Sequence, residues 1–212
     1  AIANAILFSL SRIPNATGVT RILEDTSSDH SNLNRYQLLR RSEVGEWKVK
    51  ALQQADLGKL RVTGSPVRYD ERSRARVGTL APVVLVGVDH IPTRWFIQTQ
   101  HDGWLAIGAT THWSAMASFH HPENACAMCL HPHDDPTDTL VPTVAFVSFW
   151  SGLLAAAYFA RRAAGEQIAL AEQQVFLTPL RPESAWKAPV SRRLGCPICG
   201  EREARVVDDA AA

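Results

Sequence analysis

The order of hydrophobic and polar positions along the chain predicts an alternation of helices and short strands. The strands are apolar, often β-branched runs that end at a turn or at an acidic residue, whereas the helices repeat apolar residues every three or four positions. The predicted strands are 19–23, 60–67, 83–88, 104–109 and 175–177. The predicted helices are 2–11, 42–52, 91–98 and 140–160.

The clearest strand, 83–88, is almost entirely β-branched and stops at Asp89. Strands of this kind are buried on both faces, which predicts a parallel sheet covered by helices. The alternation therefore predicts an α/β fold, Rossmann-like and doubly wound, with a mainly parallel sheet. In that architecture ligands bind beyond the carboxyl ends of the strands, so Glu24 and Asp89 stand where chemistry is expected.

Three further segments have less regular patterns. The segment 120–138, rich in His, Pro, Asp and Cys, is predicted to be a loop, and 179–194 an irregular connection. The stretch 140–160 carries no charge and is long enough to span a bilayer. Pro142 and Gly152, together with interspersed Ser and Thr, dilute its apolarity, so we predict a buried helix and no membrane span.

The composition is that of an ordinary globular chain. With 212 residues, 20% of them charged, and a formal net charge of +1, we expect one domain with a substantial hydrophobic core. A polyanionic partner normally requires a basic excess, so we do not expect nucleic-acid binding. The opening residues, 1–5, lack the basic region of a signal peptide, and we expect a cytoplasmic location.

The 4 cysteines form two CxxC pairs, Cys126 with Cys129 and Cys196 with Cys199. Paired spacing of this kind favours metal binding over a disulfide scaffold, and four thiolates suit a tetrahedral zinc ion. The pairs are too distant in sequence for a local zinc ribbon, so the chain must fold back to unite them.

A local site is the alternative interpretation of these cysteines. It would combine Cys126 and Cys129 with His131 and His133, and would leave the second pair as a spare dithiol. The neighbouring histidines 120 and 121 are assigned no role.

The most specific string in the chain is S-N-L-N-R at 31–35. It follows Glu24 at a strand end and precedes G-E-W-K at 45–48. An acidic strand end can hydrogen-bond a ribose, while an Arg and a Lys can lie against phosphates. Each residue also has a structural interpretation: a surface charge for Arg35 or Lys48, or a helix cap for Asp89. Asp25 is the alternative to Glu24, although adjacent strand residues point to opposite faces.

These features, in this order, resemble the ThiF/MoeB superfamily, the bacterial relatives of ubiquitin-activating enzymes, which adenylate the C-terminus of a small protein or peptide. The shared pattern is an acidic strand end, S-N-L-x-R, a Gly-x-x-Lys helix, V-D-x-x-x-x-R at 88–94, and two CxxC pairs around a crossover segment. The resemblance covers nearly the whole chain.

The resemblance implies a role for each matched residue. Glu24 would contact the ATP ribose, with Glu in place of the usual Asp. Asn32 and Arg35 would face the nucleotide. Lys48 would contact phosphate, and Asp89 would bind magnesium. Two further departures are Thr26, which replaces a second acidic residue, and Gln98, where the family often has Asn.

The resemblance also implies cofactors and partners. These are ATP, Mg²⁺, a structural Zn²⁺ on the four cysteines, a small ubiquitin-like or sulfur-carrier protein (or a peptide) as substrate, and a second copy in a homodimer. With every cysteine assigned to zinc, none is left to form a thioester, so the chemistry is expected to stop at the adenylate. The alternatives are a non-catalytic, zinc-stapled subunit of an activating complex and a nicotinamide-dependent oxidoreductase.

The domain expectation follows the same pattern. Residues 1–212 would form one ThiF-type domain, with a nucleotide-binding half at 1–100 and a substrate-binding half at 101–212 that carries the crossover loop and the zinc site. None of the 12 glycines stands two residues from another, so the chain contains no GxGxxG loop. The family begins with a strand and a Gly-rich loop, which we expect upstream of Ala1.

Overall fold

A computed structural model describes residues 1–133 and 144–200. Its strands are β1 (Gly18–Leu23), β2 (Leu60–Ser65), β3 (Val83–Val86), β4 (Trp104–Thr111), β5 (Ser114–His120), β6 (Gln174–Thr178) and β7 (Arg181–Ala188). Its α-helices are α1 (Ile2–Ser11), α2 (Lys48–Gln54), α3 (Arg74–Val77), α4 (Ile91–Thr99), α5 (Ala127–Leu130) and α6 (Ala145–Ala163).

The strands form a 2-stranded sheet, β1–β2, and a 5-stranded sheet in the order β3-β4-β5-β6-β7. The β1–β2 and β3–β4 pairs are parallel, and the remaining pairs are antiparallel. The fold is therefore mixed α/β, as predicted and consistent with a Rossmann-like architecture, but the prediction of a mainly parallel sheet is wrong. The turn between β4 and β5 is too short for the crossover that parallel strands need.

Helices cover both faces of the sheets. On one face, α1 and α6 bury a core with the five-stranded sheet that includes Ile6, Phe119 and Tyr158. On the other face, Ile97 of α4 packs with Leu105 and Ile107 of β4. Residues of α1 also pack against β1 and β2 through a separate cluster. Helix α1 is thus shared by the two sheets and fixes the position of one beside the other.

Two predictions in the first part of the chain are corrected. The run 19–23 forms a strand, but it is not fully buried: Val19 is 62% exposed, because β1 pairs only with β2 among the described residues. The helix predicted from residue 42 begins at Lys48 instead. Gly45 adopts a φ of 95°, which an α-helix cannot include, so a short 3₁₀ turn precedes it at Arg41–Glu43.

Three predictions in the second part also change. Residues 181–188 of the predicted irregular connection form the edge strand β7. His120, predicted to open a loop, ends β5, and a short helix, α5, lies within that loop. The apolar helix spans Ala145–Ala163, and its predicted start at 140–143 lies outside the described residues, as does 134–138 of the loop.

Helix α6 buries one face only. Val147, Ser151, Ala155 and Tyr158, which recur at helical spacing, are buried, whereas Trp150 is 38% exposed. The prediction of a buried helix therefore holds for one side of the helix. None of the helices in the described ranges is long and apolar enough to cross a membrane.

Candidate functional site

The candidate site lies where β1, β3 and α1 meet. Glu24 follows the carboxyl end of β1, and Asp89 follows that of β3. The first turn of α1 lies against the end of β3, since a Cβ at Gly87 would stand 2.7 Å from the backbone nitrogen of Ala3. A residue without a side chain at position 87 therefore allows the amino end of α1 to approach this edge of the sheet.

The charged residues predicted from the sequence surround this helix end. Glu24, Arg35, Lys48 and Asp89 all lie near enough to the backbone nitrogen of Ala1 to interact with it electrostatically. Residues from four separate segments of the chain are thus close enough to interact at one point.

Tyr36 is a member of this group that the sequence did not reveal. Burial, together with the carboxylates of Glu24 and Asp89, raises the pKa of its phenol to about 12, and the charge of Arg35 opposes this shift. Its ring lies beneath the ammonium of Lys48, with 5.4 Å between Nζ and the ring centroid. This distance is typical of a cation–π contact.

Glu24 and Lys48 are linked through Thr26. The backbone N–H and the hydroxyl of Thr26 both donate to Oε1 of Glu24, at 3.1 and 2.6 Å. The ammonium of Lys48 donates to the Thr26 hydroxyl oxygen at 2.8 Å, and the Lys48 backbone N–H donates to the Thr26 carbonyl at 3.1 Å. Both candidate nucleotide contacts therefore depend on the same intervening residue.

Asp25 points elsewhere. Its Oδ2 lies 3.2 Å from Nε of Arg68, in an ion pair. Ile22 packs toward α1 and Leu23 toward the opposite core, so alternation along the strand sends Glu24 and Asp25 to different faces. Of the two carboxylates, Glu24 is the one gathered with the charged group at the end of α1.

Asn32 and Arg35 lie on one 3₁₀ turn, His30–Asn32, and the loop after it. Asn32 is buried, and its Oδ1 accepts from the backbone N–H of Asp29 at 3.0 Å, which closes a capping box. The guanidinium of Arg35 donates to the Ser31 carbonyl at 2.6 Å and to Oδ1 of Asn34 at 3.0 Å. The turn thus orients Arg35, while the nucleotide contacts of both residues stay predictions.

Asp89 is exposed and is not the cap of α4. His90 occupies that position, and its ring Nδ1 accepts from the backbone N–H of Thr93 at 3.3 Å. The structural interpretation of Asp89 as a helix cap is therefore wrong, and the charge of its carboxylate acts on Tyr36 and on Arg94.

Arg94 supports this strand end from within. It is only 5% exposed, its Nε donates to the carbonyl of Val88 at 2.9 Å, and its Nη1 lies 3.2 Å from Nε2 of His131. Burial lowers the pKa of the guanidinium to about 10, and the charge of Asp89 opposes that shift. Arg94 therefore ties the segment before Asp89 to the chain that follows α5.

The four cysteines are brought together in the C-terminal half. They are buried and free of disulfides, and their sulfur atoms all lie within 4.8 Å of one another. The Sγ–Sγ distances are 3.8 Å for Cys126–Cys129, 3.5 Å for Cys126–Cys196 and 3.4 Å for Cys129–Cys199. A tetrahedral zinc ion with bonds of ~2.3 Å would separate its sulfurs by roughly 3.8 Å, so the donor set fits.

Hydrogen bonds adjust the thiols unequally. Burial acts to raise the pKa of Cys196, but the backbone N–H groups of Cys199 and Ile198 and the hydrogen bonds with the thiols of Cys126 and Cys199 together outweigh it and lower that pKa to about 7. Burial raises the pKa of Cys126. The backbone N–H of Arg193 also donates to the sulfur of Cys129 at 3.4 Å. Such N–H···S contacts favour thiolates, the form that binds metal.

The local alternative for these cysteines is wrong. His131 is engaged by Arg94 rather than by sulfur, and its backbone carbonyl accepts from the indole N–H of Trp95 at 2.9 Å. Among the described residues, the group able to hold a metal consists of the four cysteines and contains no histidine.

Buried polar side chains outside the cluster hold the first CxxC pair. The carbonyl of Ala125 lies 2.7 Å from Nδ1 of His120 and accepts from Nε2 of Gln173 at 3.0 Å. Gln98 accepts from the backbone N–H of Ala127 at 3.2 Å. These residues gave no signal in the sequence, because only the fold brings them next to Cys126.

Comparisons with known proteins place the fold. No protein-family model and no curated protein matches the sequence. Escherichia coli MccB, solved with succinimide, superposes with a TM-score of 0.75 at 16% identity, over 94% of this chain and 64% of the MccB chain. MccB solved with ATP gives a TM-score of 0.73 at 15% identity, over 93% of this chain and 63% of that one. PaaA superposes with a TM-score of 0.64 at 13% identity, over 90% of this chain and 69% of the PaaA chain.

These identities are low, so the likeness is one of fold. The chain spans less than two thirds of the length of MccB, at 64%. Within that span it shares the arrangement of strands and helices that carries the candidate site.

Proposed function

We propose that this protein catalyses the ATP-dependent adenylation of the C-terminal carboxylate of a polypeptide. The observation that carries the proposal is the grouping of Glu24 and Lys48 through Thr26, beside Tyr36, on which the charges of Arg35 and Asp89 also act. The shared fold supports it, because MccB has been solved with ATP and also with MccA.

In this reaction a carboxylate oxygen attacks the α-phosphorus of ATP. The bond to the bridging oxygen breaks, and pyrophosphate leaves with that electron pair. A carboxylate is already a competent nucleophile, so the site must supply alignment and charge stabilisation rather than a general base. Arg35 and Lys48 would stabilise the charge on the phosphates, and Glu24 and Asn32 would hold the nucleoside.

Asp89 would hold magnesium. A carboxylate beside phosphates is the usual protein ligand of this ion, which neutralises phosphate charge when bound. Asp89 is exposed, so its oxygens are accessible to a metal ion from solvent.

The acceptor proposed first is a peptide, by analogy with the MccA peptide that MccB binds. A small ubiquitin-like or sulfur-carrier protein is the second candidate, from the sequence resemblance. In either case the product is the acyl-adenylate, because all 4 cysteines of the chain lie in one buried cluster. A homodimer stays a prediction of the resemblance.

We also propose that this cluster holds a structural zinc ion. Cys126, Cys129, Cys196 and Cys199 provide four sulfur donors at distances that suit a tetrahedral ion. With four protein ligands the metal would have no open position, so its contribution would be to stability rather than to chemistry.

Exchange of labelled pyrophosphate into ATP tests the function. We expect exchange that depends on added acceptor, assayed with a set of short peptides and with a small ubiquitin-like protein. Lys48→Ala should reduce the rate by roughly 10²-fold, as when one transition-state charge contact is lost. Lys50→Ala is the matched control, since Lys50 lies on the same helix but pairs with Glu46 in solvent.

The outcomes separate the candidates. Exchange with peptide alone or with the ubiquitin-like protein alone identifies the acceptor class. No exchange by the folded, metal-loaded protein overturns the proposal and favours a non-catalytic subunit. Binding of a nicotinamide dinucleotide in preference to ATP would instead indicate an oxidoreductase.

A further inference from the structure

Thr26 stands between the two ends of the proposed nucleotide site. Its hydroxyl is 2.6 Å from Oε1 of Glu24 and 2.8 Å from Nζ of Lys48. The backbone adds a second connection on each side, because the Thr26 N–H donates to Glu24 and the Thr26 carbonyl accepts from Lys48. Glu24, Thr26 and Lys48 thus form one continuous hydrogen-bonded chain.

The direction of these hydrogen bonds is fixed by the charges. An ammonium has only donors, so the Thr26 oxygen must accept from Lys48. An ionised carboxylate has only acceptors, so the single hydroxyl proton must point to Glu24. The hydroxyl can serve both neighbours only in this orientation, and each neighbour therefore stabilises the hydrogen bond made to the other.

The remaining contacts of Lys48 make this link specific. Its ammonium is also restrained by the Tyr36 ring, at 5.4 Å. The hydroxyl and the ring hold the ammonium without neutralising it, so its positive charge stays available to an anion. Oε1 of Glu24 takes both hydrogen bonds from Thr26, which leaves Oε2 to meet a ribose hydroxyl.

We propose that Thr26 is a positioning residue that couples the ribose end of the nucleotide site to its phosphate end. The inference rests on the proposed function, since it presumes that Glu24 meets a ribose and Lys48 a phosphate. Its consequence is that removing one hydroxyl should disturb both ends of the nucleotide together, although Thr26 touches neither.

Thr26→Val tests the coupling, because valine keeps the β-branched shape and loses the hydroxyl. Thr26→Ser is the matched control that keeps the hydroxyl. We would measure the affinities of ATP and 2′-deoxy-ATP by calorimetry for the wild type and both variants, with thermal melting as the check on folding. Hydrogen bonds to charged groups predict that Thr26→Val weakens ATP binding by about tenfold.

The decisive readout is the ratio of the two affinities. If Thr26 positions Glu24, the preference for ATP over 2′-deoxy-ATP should shrink toward one in Thr26→Val and return in Thr26→Ser. Equal weakening of both nucleotides would overturn the coupling, as would an unchanged ATP affinity. A wild-type protein that binds ATP and exchanges pyrophosphate, with no change in the ratio in Thr26→Val, would retain the proposed function and reject this inference alone.

A measurement without nucleotide tests the Thr26 link independently of the proposed function. The Lys48 ammonium should give a slowly exchanging proton signal by NMR in the wild type and in Thr26→Ser, but not in Thr26→Val. Retention of that signal in Thr26→Val would contradict the link even if the protein binds no nucleotide.

Discussion

Adjacent carboxylates at the end of β1 occupy different environments. Glu24 joins the charged group around α1, while Asp25 pairs with Arg68, and both side chains of that pair are at least one third exposed. Exposed ion pairs of this kind contribute about 0–1 kcal/mol. Whether each carboxylate contributes to the candidate site or only to a weak surface ion pair therefore depends on the face to which the strand directs it.

This difference gives a prediction for two matched variants. Glu24→Gln should weaken ATP binding by roughly tenfold or more, because a hydrogen bond to a charged group is worth about 1.5–3 kcal/mol. Asp25→Asn should leave ATP affinity within about twofold and change stability little. The affinities can be measured by calorimetry, and equal effects of the two substitutions would refute the assignment of Glu24.

At this scale the sequence could identify residues that form a linear motif. Glu24, Arg35, Lys48 and Asp89 were found by their order and spacing, and the structure brings them together. Residues whose role depends on contacts across the fold could not be found this way. Tyr36 is identified by the contact of its ring with the Lys48 ammonium, and Gln173 by the hydrogen bond from its amide to the Ala125 carbonyl. Both contacts exist only in the folded chain.

Helices α1 and α6 approach each other closely where they cross in the core. A Cβ at Gly152 of α6 would stand 2.5 Å from Cβ of Ala5 and 2.7 Å from the carbonyl oxygen of Ile2. These distances are below normal van der Waals separation, and one of the two neighbours is backbone. The absence of a side chain at Gly152 therefore sets the distance between the two helices.

We expect Gly152→Ala to destabilise the protein by about 1–3 kcal/mol, the usual cost of overpacking. In a helix interior without this contact, replacing glycine with alanine would raise the free energy of unfolding by up to about 1 kcal/mol. Urea unfolding followed by circular dichroism measures the difference. The control is Ala157→Leu at an exposed position of α6, which should stay within about 0.5 kcal/mol of the wild type. A stabilised Gly152→Ala would mean that the helices separate at little cost.

Apolar runs and helical periodicity in the sequence made most elements predictable. The cores of β3, β4 and α4 were all found from their apolar runs. The edge strand β7 was missed because its sequence, R-P-E-S-A-W-K-A, is polar and carries a proline. Its strand character comes from pairing with β6 and from the stacking of Trp186 on Phe176, whose ring centroids lie 4.3 Å apart. Neither contact is visible in the sequence of β7 alone.

The shared position of α1 is what assembles the molecule around its candidate site. The helix packs on the five-stranded sheet through Ile6 and on the two-stranded sheet through Leu7. Its amino end consequently meets the carboxyl ends of β1 and β3 together. Apolar periodicity could predict the helix but not this dual contact, because the order of strands is set by long-range packing.

The cysteine cluster makes the second long-range connection. Its first arm is the segment 125–130, with Cys126 and Cys129, and its second arm is the segment 190–199, with Cys196 and Cys199. Gln173 joins the two arms without any metal. Its Nε2 donates to the carbonyl of Ala125, and its Oε1 accepts from the backbone N–H of Val190 at 3.3 Å. The first arm has further support from His120 and Gln98. The second arm, near Cys196, depends more on its sulfur contacts.

Metal removal should therefore loosen the two arms unequally. We expect about one zinc ion per chain, and a chelator should lower the melting temperature while the core of the fold persists. Hydrogen exchange followed by mass spectrometry should show lost protection at 196–199 and retained protection at 126–130. Gln173→Met should open 126–130 as well once the metal is removed, and should weaken zinc binding by roughly 10–100-fold. Equal loss in both arms of the wild type would contradict this order, and a protein that contains no metal and resists the chelator would refute the zinc site.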